Sequence, residues 1–166
     1  ATERKISLSD ERVDVFSVVN QFVYTRQLSG GVDSHLDAEI LVRAWIFGEK
    51  YLMPSLQNKV MSSIMEKHTE FGFIPIYQTK LIYANTLPGS PLRRFITDMV
   101  AYRCDVGALM ITHGSQHWPH EALVDLLRVI GAKKVEEFGR FALPETNKGR
   151  CYYHVHANGE NCDTKT

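Results

Sequence analysis

Two cysteines and two histidines crowd into twelve positions near the end of the chain, in CYYHVHANGENC, which spaces Cys151, His154, His156 and Cys162 as C-x2-H-x-H-x5-C. Thiolate sulfur and imidazole nitrogen are the ligands a structural zinc ion takes in a closed tetrahedron. In an extended segment His154 and His156 point the same way, which suits joint ligation, and Asn158-Gly159 supplies a turn that reverses the chain. The order departs from the ordinary finger, in which two cysteines precede two histidines on a helix. Three readings stand side by side: a structural zinc clasp, an uncommitted polar tail, and a Cys151 to Cys162 disulfide, the last at odds with an intracellular setting. Four protein ligands leave no open coordination position, so a zinc ion here is expected to be structural, not catalytic.

Other chemistry is thin. His113, His117 and His120 form a second cluster in HGSQHWPH. Gly114 and the Trp118-Pro119 pair predict a loop there, and the Glu of H-E-x-x-H is absent, so these histidines read as solvated or capping groups. No G-x-S-x-G, G-x-x-x-x-G-K-[ST] or G-x-G-x-x-G occurs, and Gly30-Gly31, Gly48 and Gly72 lack the strand-glycine-helix context. Cys104 stands beside Arg103, which could activate a thiol, but a buried small hydrophobe is the simpler role. No catalytic or cofactor-binding residue is nominated, and the expectation is a protein that is not an enzyme.

The 166 residues suffice for one core with an appended tail. Nineteen Lys and Arg balance nineteen Asp and Glu, so no net field selects nucleic acid or an anionic membrane. Arg93-Arg94 and Lys133-Lys134 are short pairs, not a basic stripe with aromatics, and no nucleic-acid binding is expected. No apolar run approaches the ~20 residues needed to cross a bilayer. The charged start, ATERKISLSDER, has no h-region, and three cysteines make no disulfide framework, so an intracellular location, cytoplasm or nucleus, is expected.

The elements that would position these residues follow from periodicity. Ile6 and Leu8 alternate with Lys5 and Ser7 as a short strand. Asp10 offers an N-cap to a helix carrying Val15, Val19, Phe22 and Val23, which ends near Tyr24 and Leu28 before Ser29, Gly30 and Gly31. Ser34 or Asp37 caps a helix to Tyr51, apolar over more than half its circumference and so expected to lie between others. Pro54 opens a third helix that runs out near His68. A shorter helix around Tyr77, Leu81 and Ile82 precedes the TLPGSP turn. Leu92, Phe95, Ile96, Met99 and Arg103 form the cleanest amphipathic stripe, and a last helix spans Pro119 to Ile130, terminated by Gly131. The predicted core is Phe16, Val19, Phe22, Leu41, Trp45, Leu56, Val60, Phe95, Met99, Leu123 and Leu127. Beyond Lys133 the chain reads as irregular, with Tyr152 and Tyr153 the means of holding it to the core. The fold class is thus mainly α: a helical bundle with one short N-terminal strand and an irregular C-terminal tail.

The order strand, helix ending in VYTRQL, helix containing AWIFGEKYLMPSLQNKVM resembles the second half of a BTB/POZ domain of the fungal type. The Lys50-Tyr51 pair and Leu56 stand at the matching positions over residues 3 to 68. ANTLPGSPLRRFITDMVAY looks like the helical extension of such domains, and CYYHVH…C is similar to endings of fungal BTB-like proteins. The resemblance divides the chain into a BTB/POZ-like C-terminal half (1–70), a helical extension (71–132) and an irregular tail with a zinc clasp (133–166). Tyr24, Trp45 and Tyr51 read as packing residues, since an aromatic near a helix end with an aliphatic stripe behind it is usually core.

The resemblance also implies a non-enzymatic protein-protein interaction module acting through oligomerisation, transcriptional regulation or recruitment of a cullin-type ubiquitin ligase. The cullin-binding surface lies mainly in the half that would precede residue 1, which weakens that last implication. An unpaired Ile6/Leu8 edge and exposed helix faces predict a homodimer or higher oligomer. The alternative is a small zinc-binding protein whose metal-held tail binds a ligand or carries hydrolytic chemistry, which requires one of the four tail residues not to be a ligand.

Overall fold

Seven α-helices and two short 3-10 turns make up the regular structure of the computed structural model, which describes residues 11–28, 36–132 and 149–156, the side chains of 113–115 and 150 aside. Mainly α is therefore the observed class, with no strand among the described residues. The expected strand at Ile6 and Leu8 lies outside them. No described helix is long and apolar enough to cross a membrane.

Local chemistry explains most helix starts. Helix α1 (Val13–Thr25) begins after Arg12, not after Asp10, and Arg12 pairs with Asp14 at 2.5 Å and with Glu39 of the next helix at 2.7 Å. Helix α2 (Ala38–Lys50) is capped by Asp37, whose carboxylate accepts from the Ile40 N–H at 2.8 Å. Helix α3 (Pro54–Phe71) opens on a proline, whose missing N–H would be unpaired there in any case. It runs almost a turn beyond His68, because Gly72 takes a left-handed φ of 67° and closes it.

A 3-10 turn at Ile76–Gln78 leads into α4 (Thr79–Asn85), and Ser90-Pro91 starts α5 (Pro91–Arg103). Helix α7 (His120–Ala132) extends through Gly131, so that glycine does not end it. The loop expected around HGSQH is instead the end of a helix: α6 spans Val106–His117 and is capped by Asp105, which accepts from Ala108 N–H at 3.0 Å. The cap satisfies an N–H of the first turn, and the helix holds through both Gly107 and Gly114.

Helices α2 and α3 pack closely on each other, α1 lies on α2, and α5 pairs with α7 while α4 bridges α2 to both. Gly48 permits the α2/α3 approach: a Cβ there would lie 2.7 Å from Gln57 Cγ and 3.3 Å from the Met53 carbonyl. As expected, α2 is enclosed, with Leu41, Val42, Ala44, Trp45, Phe47 and Gly48 all buried. Of the predicted core, Val19, Phe22, Leu41, Trp45, Leu56, Val60, Phe95 and Met99 are buried, and Leu123 is partly so.

Two predicted core residues face solvent. Phe16 is 41 % exposed because α1 turns Val15, Val18, Val19 and Phe22 inward, and Leu127 is 66 % exposed because α7 buries Ala122 and Leu126. Each sits about 100° around its helix from a buried neighbour. Tyr24 and Tyr51, assigned to packing, are also exposed, whereas Trp45 is fully buried.

Candidate metal centre

The last described segment is a 3-10 turn, Arg150–Tyr153, laid across α5. Tyr153 anchors it: the ring is fully buried, meets Phe95 edge to face at 5.3 Å, and donates its hydroxyl to Asp98 Oδ2 at 2.8 Å. Arg94 adds a bond to the Tyr152 carbonyl at 3.2 Å and stacks its guanidinium over the Tyr152 ring. Both tyrosines thus hold the described part of the tail, residues 149–156, to the core.

Two residues beyond Tyr153, Asn58 on α3 accepts from the Val155 N–H at 2.7 Å and donates to its carbonyl at 2.9 Å. Fixed on both sides, the segment brings together the ligand atoms of Cys151, His154 and His156, all within 4.8 Å of one another. Around a tetrahedral zinc such atoms lie about 3.5 Å apart, the edge set by metal bonds of about 2.0–2.3 Å. Small side-chain rotations close that difference, so the three residues fit a metal of this kind. Cys162, the fourth expected ligand, lies outside the described residues.

Electrostatics suits ligation. Burial, and then the neighbouring His156, lowers the His154 pKa, favouring the neutral imidazole that binds metal. His154 Nε2 lies 3.4 Å from Ser62 Oγ on α3, where the hydroxyl can orient the ring. Of the second histidine cluster, His117 packs its ring edge to face with Tyr77 at 5.2 Å and His120 is exposed at the start of α7, while the side chain of His113 lies outside those described. Burial raises the Cys104 pKa, which suits an inert thiol and not an activated one.

His156 also forms part of a cleft of about 460 Å³ between α2, α3 and the tail. Trp45 and Glu49, one turn apart on α2, line the same cleft, and among the described residues neither Trp45 Nε1 nor the occluded Glu49 Oε2 has a hydrogen-bond partner. Burial raises the Glu49 pKa, while the Leu87 N–H and the charge of Arg93 pull it back down. No motif marks this pair in the sequence; its only local signal is a carboxylate four residues after a tryptophan on an otherwise apolar helix.

The chain matches no family model, no curated protein and no solved structure.

Proposed function

We propose that the protein is a non-enzymatic interaction module, BTB/POZ-like in its sequence pattern, that works by pairing with a second copy of itself. The observation that carries this reading is the outer side of α1, where Val13 (85 % exposed), Phe16, Val23 and Tyr24 (81 % exposed) are open to solvent although the opposite side is buried. Apolar side chains at this spacing share one helix face, and covering them is favourable by about 25 cal/mol per Å². A second copy suits the patch because the stripe carries no charge to repel its own image and a two-fold axis matches it to itself.

Light scattering across a concentration series tests the reading. The wild type is expected to be a dimer or larger that dissociates on dilution, and Phe16→Glu with Tyr24→Glu a monomer of unchanged helicity. A wild-type monomer at every concentration overturns it.

The convergence of Cys151, His154 and His156 favours a second, compatible role for the tail, as a zinc clasp with Cys162 as fourth ligand and an intracellular setting that keeps the thiols reduced. Were Cys162 not a ligand, the open position would allow ligand binding or hydrolysis. Elemental analysis separates these outcomes. Stoichiometric zinc lost in both Cys151→Ser and His154→Ala, together with thermal stability, supports the clasp; zinc retained in both excludes it.

A further inference from the structure

Cys151, His154 and His156 owe their places to hydrogen bonds made by the backbone between them. The His154 N–H donates to the Cys151 carbonyl at 3.1 Å, which closes the 3-10 turn and brings the first ligand to the second. Val155 carries the next step. Its N–H belongs to the planar peptide that follows His154, and its carbonyl to the planar peptide that precedes His156. Asn58 holds both, accepting at 2.7 Å and donating at 2.9 Å, so the two peptides between the histidines are fixed from α3. Ser62, four residues on and hence on the same face of α3, stands 3.4 Å from His154 Nε2. On the other side of His154, Tyr153 is pinned by Asp98 of α5. The residues bound to the core, Tyr153 and Val155, thus alternate with the ligands His154 and His156.

We propose that Asn58 is a positioning residue of the metal centre, and that docking of the tail on α3 and zinc binding favour each other. This coupling rests on the reading of the tail as a zinc clasp. Ligands already ordered by the core bind without the cost of ordering them, and the same free energy returns as tighter docking once the metal is held. Val155 and His156 also line the cleft against α2 and α3, so zinc steadies one wall of that cleft.

Zinc affinity and backbone exchange test this on the full chain, kept reduced. Competition with a chromophoric chelator gives the affinity of the wild type and of Asn58→Ala, in which alanine suits the helix and removes both bonds to Val155. Asn58→Ala is expected to bind zinc about tenfold more weakly, at unchanged stoichiometry, the usual cost of losing a residue that orients ligands. By reciprocity, zinc should slow hydrogen–deuterium exchange of the wild-type Val155 amide by at least the same factor. Equal affinity in the two proteins, or a Val155 amide indifferent to zinc, overturns the coupling and leaves the clasp standing. A wild type that binds no zinc overturns both. Should Asn58→Ala fail to fold, the wild-type exchange rates with and without zinc decide.

Discussion

Arg93 and Trp45 are buried to nearly the same depth, yet their surroundings are opposite. Arg93 donates from Nε to Thr86 Oγ1 at 3.0 Å, from Nη2 to the Tyr83 carbonyl at 2.7 Å and to the Thr86 carbonyl, and from Nη1 to Glu121 at 3.0 Å, with its guanidinium 4.3 Å from the Tyr83 ring centroid. It therefore serves as the cap that α4 lacks at its C-terminus, tying that helix to α5 and α7. Among the described residues Trp45 Nε1 and Glu49 Oε2 have no hydrogen-bond partner, although the Leu87 N–H reaches the same carboxylate. The satisfied cluster is architecture. The unsatisfied one is a desolvation cost that the fold carries.

Substitutions can break or sharpen this contrast. The largest effect is expected for Arg93→Leu, which strands the two carbonyls at the end of α4. Glu121 is 69 % exposed on its side chain, so that ion pair contributes little, and the loss of about 3 kcal/mol in urea denaturation should come mainly from the carbonyls. On the other side, Gly48→Ala drives a methyl group against Gln57 and the Met53 carbonyl beneath the cleft. A loss of about 2 kcal/mol in urea denaturation is expected.

Tyr83→Phe removes one satisfied bond, that from the hydroxyl to Asp125 Oδ2 at 3.0 Å, and should cost about 1 kcal/mol. Glu49→Gln should cost least, and its sign should depend on pH. The folded state holds the Glu49 proton more tightly than the unfolded chain does, so that stabilisation is complete below the ordinary glutamate pKa of 4.5 and is lost as pH rises through the higher folded value. Denaturation at acidic and neutral pH should find Glu49→Gln equal to the wild type in acid and slightly more stable at neutrality. A satisfied Glu49 would reverse that order.

Much of the helical frame was legible because its start signals are local. Asp37, Pro54 and Pro91 each mark a beginning through the chemistry of the first turn, and Leu92, Phe95, Ile96 and Met99 are all buried where their period placed them. Helix α6 is hard to see in the sequence because two glycines interrupt a segment whose apolar residues do not gather on one face, and only its Asp105 cap argues for it. Phe16 and Leu127 show the limit of periodicity: the spacing of apolar residues admits two neighbouring faces, and the packing of α1 on α2 and of α7 on α5 selects one.

The candidate sites divide in the same way. Cys151, His154 and His156 stand close in sequence and are drawn together by their own turn, so composition alone could point to them. The cleft joins Trp45 and Glu49 to Pro91 and to His156, more than a hundred residues on from Trp45, and nothing near Trp45 in the sequence announces the other walls.

The contact between Asn58 and Val155 has a consequence of its own. A side-chain amide that both donates to and accepts from one residue's main chain reproduces a single rung of a β-ladder, supplied by a helix. What it reads is the course of the backbone and not the side chain it carries. Proline at position 155 should therefore break this rung, and adding or deleting one residue between Tyr153 and Val155 should throw the segment out of register. The tail is held in place by a ruler.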